Sequence, residues 1–160
     1  MQEEYTLGIS FSSRMLGLAI INHFNLVDYS LKLFKEKWTS SKESKIITAI
    51  ATCIEYYNIS HIVLSIPALH YQKEVYKCLY QRIMKIAYEY NIKTTEVNKK
   101  DIRLLCGKAQ KKTKRCQMEV LSDIHEELKP LAQKEVRNKN KYYEMLFDAV
   151  GVATVQAYRK

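Results

Sequence analysis

The first third of the chain alternates between apolar runs and short polar breaks, a pattern typical of antiparallel strands. Two apolar runs come first, and a third segment alternates apolar and polar residues from Tyr29 onward, as a half-exposed strand does. The polar residues from Asn22 to Asn25 fit a turn between the second and third segments. The pattern therefore predicts three strands, over residues 5–11, 15–22 and 25–34.

The rest of the chain combines apolar spacings of three and four residues with short continuous apolar runs. The spacing is typical of an amphipathic helix, and the continuous runs are typical of buried strands. Thr39 to Glu43 fit a helix N-terminus, and Pro130 is predicted to end a later helix. The predicted elements are a helix ending near 58, a strand over 61–67, a helix over 71–90, a strand over 92–97, a helix over 113–128, a polar connection over 136–141 and a helix over 142–158.

This element order predicts an α/β fold with a mixed five-stranded sheet. Three antiparallel strands come first, the later strands run parallel, and helices flank the sheet. A right-handed crossover would place strand four beside strand one. A chain of 160 residues fits one domain, residues 1–160.

The composition narrows the class of protein further. Hydrophobic residues make up 47% of the chain and charged residues 27%, which is the balance of a soluble globular protein. No apolar run approaches the roughly 20 residues that span a bilayer, and residues 1–4 lack the features of a secretory signal. We therefore expect a cytoplasmic protein that does not bind membranes.

The net charge of +9 is concentrated in residues 93–115, called the basic segment below. Nine basic residues stand there against two acidic ones, an excess of +7. Such a cluster is typical of a protein that binds a phosphate backbone, whereas the alternative is a solvated loop that only maintains solubility. The predicted contacts to nucleic acid are Arg103, Lys108, Lys111, Lys112, Lys114 and Arg115.

Three features together resemble the RuvC resolvase-like branch of the ribonuclease H-like superfamily. They are the first hairpin over residues 5–21, the loop Gly107-Lys108-Ala109 four residues after Arg103, and the run Phe147-Asp148-Ala149-Val150-Gly151 in the final helix. The resemblance implies a ribonuclease H-like sheet. It also implies DNA as the partner and a homodimer, since RuvC resolvases act as homodimers on four-way DNA junctions.

The resemblance also indicates which positions would hold metal ions in a two-metal nuclease. Ser10 stands where the first strand normally ends in aspartate, Ser65 where a glutamate usually follows strand four, and Met145 where the final helix carries its first aspartate. Asp148 matches the last aspartate, and Glu144 shares its helix face. Serine is a poor ligand for a hard divalent cation. We therefore expect a degenerate site with Asp148 and Glu144 as its catalytic remnants, Asp148 as a weak metal ligand at most, and no cofactor.

These observations lead to one functional hypothesis and three alternatives. The first is a catalytically impaired RuvC-like protein that binds the phosphate backbone through the basic segment. An alternative is a Mg²⁺-dependent junction or flap endonuclease with a rearranged site that uses Asp148, Glu144 and either Asp28 or Glu96. Another is a protein-interaction module. An actin- or hexokinase-like phosphate binder is disfavoured because the first hairpin lacks the required glycine turn.

The residues alone do not distinguish DNA from RNA or a junction from a duplex as the bound nucleic acid. They also do not distinguish a monomeric protein from a dimeric one. Tyr142 and Tyr143 lie beside basic residues and are candidates for base stacking, with ordinary packing expected for at least one of them.

Overall fold

A computed structural model describes residues 3–67, 73–107, 114–138 and 142–159. The strands are β1 (Tyr5–Phe11), β2 (Met15–Asn22), β3 (Asn25–Leu33), β4 (Ile59–Ile66) and β5 (Lys93–Asn98). The α-helices are α1 (Ser40–Tyr57), α2 (Glu74–Glu89), α3 (Lys99–Arg103), α4 (Lys114–Ile124), α5 (Lys129–Asn138) and α6 (Glu144–Arg159), with 3₁₀ turns at Leu104–Cys106 and Glu126–Leu128.

The strands form one mixed sheet in the order β3-β2-β1-β4-β5. The β1–β2 and β2–β3 pairs are antiparallel, while the β1–β4 and β4–β5 pairs are parallel. The structure thus confirms the predicted α/β fold and the position of strand four beside strand one. Thr39 caps α1 by accepting a hydrogen bond from Lys42 N, as its position in the sequence predicts.

The two faces of the sheet carry different side chains because neighbouring residues of a strand point to opposite sides. In β1, Leu7 and Ile9 pack into a core with α1 and α2. Gly8 lies against α6 on the other face, and Ser10 contacts Met145 of the same helix. The polar positions of β1 are therefore directed toward the C-terminal helix and away from the larger core.

Helix α6 approaches the backbone of β1 and β2 closely. A Cβ at Gly8 would lie 2.2 Å from the carbonyl oxygen of Ala149, and a Cβ at Gly17 would lie 2.5 Å from that of Met145. Only glycine fits this distance. The two glycines therefore fix the depth of α6 on the sheet and, with it, the height of Asp148.

The structure corrects the prediction for residues 113–141. Pro130 lies in the first turn of α5 and does not end the preceding helix, which stops at Ile124. Proline is tolerated there because the amides of a first helical turn need no partner within the helix. Helix α5 continues to Asn138 and occupies part of the predicted polar connection, while residues 139–141 lie outside the described part of the chain.

The short helix α3 within the basic segment is not predicted by the sequence pattern. Its N-cap, Asn98, accepts a hydrogen bond from Asp101 N at 2.9 Å. No helix in the described ranges combines the length and apolar character needed to cross a membrane.

Candidate functional site

Ser10 and Ser65 lie at the carboxyl ends of two adjacent parallel strands. The last paired residues of β1 and β4 are Ile9 and Leu64, and each serine is the next residue along its strand. Both serines are buried. Val63 of β4 packs on the α6 side, so Ser65, two residues further, projects to the same side as Ser10. This edge of the sheet is called the serine edge below.

Ser10 of β1 is covered by helix α6. Ser10 Oγ donates a hydrogen bond to Met145 Sδ at 2.8 Å. A thioether is a weak and neutral acceptor. Met145 lies one turn before Asp148, so this contact also places the acidic face of α6 at the serine edge.

Asp148 is 4% exposed and has two partners at this edge. Gln117 Nε2 donates to Oδ1 at 3.1 Å, and Lys99 Nζ lies 3.5 Å from Oδ2. Burial raises the pKa of the Asp148 carboxyl above its usual value, against the opposing effects of Lys99 and Gln117, and nearby Glu144 raises it further. Asp148 is therefore a poorly solvated carboxyl group paired with the amine of Lys99 and the amide of Gln117.

Glu144, one turn earlier on α6, is held by two lysines. Lys114 Nζ lies 2.5 Å from its Oε1, and Lys99 Nζ lies 3.7 Å from the same atom. Lys99 thus bridges both remaining acids of the site. Each carboxylate has a positive charge from the same chain beside it.

Three elements bring these partners to the serine edge. Lys99 follows the carboxyl end of β5 directly, and the capped start of α3 holds its backbone. Lys114 is the first residue of α4, and Gln117 lies one turn later on that helix. In the sequence, Lys99 stands out only as part of the basic charge, and no pattern marks Gln117. The feature of the sequence that could have indicated Lys99 as a site residue is its position directly after β5, the parallel strand next to β4.

The side chains of the serine edge do not fit a pair of hard divalent cations. Ser10, Ser65 and Met145 offer two neutral hydroxyls and a thioether, and the two nearby carboxylates already contact ammonium groups. Among residues 3–67, 73–107, 114–138 and 142–159, no group of three His, Cys, Asp or Glu side chains could hold a metal ion. The donor set itself therefore argues against two-metal chemistry.

Asp28 and Glu96 do not join this site. Asp28 accepts a hydrogen bond from Tyr57 of α1 at 2.6 Å, and Glu96 accepts one from Tyr80 of α2. Helices α1 and α2 pack on the face of the sheet opposite α6. The structure therefore contradicts the rearranged cluster that would combine either residue with Asp148.

The described part of the basic segment is partly engaged within the chain. Lys114 contacts Glu144, and Arg115 Nε lies 3.2 Å from Glu119 Oε1. Arg103 is half-buried, and its Nε has no hydrogen-bond partner among the described residues. The other three predicted contacts, Lys108, Lys111 and Lys112, lie outside the described residues.

The tyrosine pair at the start of α6 divides as expected. Tyr143 is partly buried against the core beneath α6, and its backbone N–H donates to Glu135 Oε1 at 2.6 Å. Tyr142 is exposed, and its ring lies edge-on to that of Tyr143 with centroids 4.8 Å apart. Tyr143 packs in the ordinary way, whereas a stacking role for Tyr142 stays a prediction.

Comparison with protein families and with curated sequences finds no match to this chain. Solved structures do match. Thermus thermophilus RuvC is 13% identical with a TM-score of 0.75, covering 96% of this chain and 93% of the other. T. thermophilus RuvC in complex with a Holliday junction substrate is 12% identical with a TM-score of 0.73, covering 97% and 93%. The fowlpox virus resolvase in complex with Holliday junction DNA is 12% identical with a TM-score of 0.56, covering 98% and 99%.

These similarities extend over nearly the whole length of each pair of chains. The chain has the ribonuclease H-like fold in its RuvC-like form, as the sequence resemblance predicts. At sequence identities of only 12–13%, this structural similarity establishes the fold alone, so the activity has to be argued from the site.

Proposed function

We propose that this protein binds nucleic acid along the serine edge and does not cleave it by two-metal chemistry. One observation carries the proposal. The ammonium groups of Lys99 and Lys114 lie 2.5–3.7 Å from the only two carboxylates that the described site retains. In the proposed state, lysines supply from within the chain the positive charge that a nuclease of this fold takes from metal ions.

The same ion pairs favour binding of a phosphate backbone. A cluster of bare carboxylates would repel phosphate, whereas here two ammonium groups balance two acids. Burial raises the pKa of Asp148, which lowers the negative charge at the edge further. Lys100, exposed on α3 just after the carboxyl end of β5, adds positive charge there. The edge is thus suited to hold phosphodiester groups with little base preference.

The choice of a first ligand follows from the solved complexes. T. thermophilus RuvC and the fowlpox virus resolvase were each solved with Holliday junction DNA. A four-way DNA junction is therefore the first ligand to test, with a duplex and a single strand of the same sequence beside it. A homodimer is part of the proposal only as an expectation from the fold, and sedimentation of the free protein tests it.

A salt titration tests binding. Each basic residue that contacts phosphate releases condensed counterions, so log K should fall linearly with log salt. The variant K111Q/K112Q should bind all three DNA forms more weakly, with a salt slope lower by roughly 0.9 for each phosphate that is no longer neutralised. The control K85Q/K134Q loses the same charge at two exposed lysines on α2 and α5 and should leave the slope unchanged. No binding by the wild type at low salt would refute the proposal and favour a protein-interaction module.

A cleavage assay tests the second half of the proposal. Wild-type protein at enzyme-level concentration, with Mg²⁺ or Mn²⁺ and junction or flap DNA, should leave the substrate intact. Metal-dependent cleavage that disappears in D148N would establish the endonuclease alternative instead.

A further inference from the structure

A basic groove lies on the same edge of the sheet as Ser10 and Ser65. It is at the β3 end of that edge, whereas Lys99 is at the β5 end. It is formed by the turn between β1 and β2, the end of β3 and the loop before α1. The groove begins at Ser13, three residues after Ser10. The residues that line it are Ser13, Arg14, Met15, Leu33, Phe34, Lys35, Glu36, Lys37, Trp38 and Lys42.

The groove is positively charged. Four of its lining side chains are basic and one is acidic. The acid, Glu36, is paired with Lys45 outside the groove at 2.9 Å. Arg14, Lys35 and Lys37 are exposed and have no ion pair within the described residues. Unlike Lys99 and Lys114, these three cations are therefore available to an external anion.

Hydrogen bonds order the backbone that carries these cations. Ser12 Oγ accepts from Arg14 N and Met15 N, each at 3.2 Å, which fixes the turn after β1. Phe34 N donates to Arg14 O at 2.7 Å and joins that turn to the end of β3. The buried Lys42 donates from Nζ to Glu36 O at 2.6 Å and anchors the loop on α1. The groove is therefore largely formed before any ligand binds.

The groove and the site of the lysine pairs occupy opposite halves of one edge. The first lies at the end of β1, the start of β2 and the end of β3, where Phe34 and Trp38 pack on the α1 side of the sheet. The second lies at the ends of β1, β4 and β5, on the α6 side. Four strand intervals of ~4.8 Å give a span of roughly 19 Å across the sheet. One DNA strand presents about five to six phosphates over that length, at ~3.4 Å of axis each. A nucleic-acid segment that crosses this edge of the sheet is therefore long enough to contact both halves.

We propose that the groove of Arg14, Lys35 and Lys37 holds a second stretch of phosphodiester backbone when nucleic acid lies on the serine edge. This inference rests on the proposed function and adds a second contact surface to it. Charge complementarity selects the partner, because a phosphate backbone presents closely spaced anions to three exposed cations carried on an ordered backbone. Trp38 lines the groove while packing partly against the core, so its ring lies beside the cations that would hold the backbone.

The test compares two variants that lose the same charge in different places. K35Q/K37Q removes two groove lysines, and K85Q/K134Q removes two exposed lysines on α2 and α5. Each double variant lowers the net charge from +9 to +7. Affinity for a four-way DNA junction is measured by fluorescence anisotropy across a salt series. The groove variant should bind roughly tenfold or more weakly, with a salt slope lower by about 1.8 because two phosphates are no longer neutralised, while the control stays near wild type.

Trp38 gives an independent signal because it is the single tryptophan of the chain. Junction DNA should quench or shift its emission in the wild type and in K85Q/K134Q, and should do so much less in K35Q/K37Q. Poly-L-glutamate serves as the second probe, for an acidic protein surface, and should bind more weakly than DNA of equal charge.

The outcomes separate the two proposals. If the wild type binds DNA and both double variants bind equally well, the groove inference is wrong and the proposed function stands. If the wild type does not bind DNA, both are wrong. In a third outcome, K35Q/K37Q binds poly-L-glutamate more weakly than the wild type does but binds DNA equally well. That result would identify an acidic protein as the partner of the groove and would also overturn the inference.

Discussion

Lys99 Nζ lies 3.5 Å from Asp148 Oδ2, whereas the hydrogen bond from Gln117 goes to the other carboxyl oxygen, Oδ1. The same ammonium group lies 3.7 Å from Glu144. One flexible lysine thus reaches both acids that the final helix contributes. The relationship explains how the buried carboxylate of Asp148 is tolerated at the serine edge.

Removal of Lys99 should make Asp148 harder to ionise. Burial already raises the pKa of Asp148, and Lys99 opposes that shift. Because the folded state binds this proton more tightly than the unfolded chain, the contribution of this group to stability is greatest below pH 3.8 and falls as pH rises through the folded pKa. K99Q should raise the pKa of Asp148 further, so the fall in stability should continue to a higher pH. The cost at pH 7 should be no more than about 1 kcal/mol, since Lys99 is 40% exposed and screened by water.

Urea unfolding of K99Q and wild type at pH 4, 5.5 and 7 measures this effect. In the D148N background the same substitution should have a smaller effect, because the titrating carboxyl is absent and only Glu144 remains. An equal loss of stability in both backgrounds would contradict the proposed coupling between Lys99 and Asp148.

Acidic residues introduced at the serine edge should bind Mg²⁺ poorly unless Lys99 is also removed. The variant S10D/S65E/M145D places three carboxylates at the serine edge, but Lys99 remains beside Asp148 and Glu144 to compete with a cation. Adding K99Q should increase Mg²⁺ affinity severalfold, as measured by isothermal titration calorimetry. Equal affinity with and without Lys99 would show that the lysine does not compete with metal.

Gly8→Ala should be strongly destabilising. The new Cβ would lie 2.2 Å from a backbone carbonyl that cannot move without shifting α6, so we expect a loss of about 3 kcal/mol. Gly151→Ala is the matched control. Its Cβ would meet a side-chain carbon of Ile102 at 2.7 Å, and alanine also favours a helix by up to about 1 kcal/mol. Urea unfolding should rank G8A well below G151A, and a reversed order would refute the close contact.

Acid should destabilise the protein partly through His125. Its Nε2 lies 3.0 Å from Thr154 Oγ1, and that hydroxyl donates its own hydrogen to Val150 O at 2.7 Å. Nε2 must therefore be the donor to Thr154. Burial lowers the pKa of His125 below 6.5, so the unfolded chain takes up the proton first and stability is lost as pH falls below 6.5.

His125→Gln keeps a donor near Thr154 and removes the titration. The free energy of unfolding should therefore fall less between pH 7.5 and pH 5 in H125Q than in wild type. An identical fall in both proteins would mean that other groups cause the acid sensitivity.

Sequence patterns are sufficient to predict the strand ends. Ser10 and Ser65 follow buried apolar runs, and the two-residue period of a strand fixes which face they share. The same period in β5 sets Glu96 opposite to Val97, so its exclusion from the site is also predictable. Asp28 is harder to place, because an irregularity in the β2–β3 register breaks the alternation there.

The contacts that decide the chemistry of the site are beyond local patterns. Lys99 stands 45 and 49 positions before Glu144 and Asp148 in the chain, and no periodicity records such ion pairs. Pro130 is ambiguous for a different reason. The same residue can follow one helix or lie in the first turn of the next, and packing of Leu128 and Ala132 into the core decides for the second.

The close contact between α6 and β1 affects how remote relatives of this chain can be detected. The side chains of Ser10, Ser65 and Met145 at the serine edge are neutral, so acidic residues there cannot serve as the signature of this chain. Glycines at positions 8 and 17 can, since backbone geometry restricts them whether or not the edge binds or cleaves anything. A search profile weighted on that helix–sheet contact would therefore retrieve chains of this fold whatever side chains stand at the serine edge.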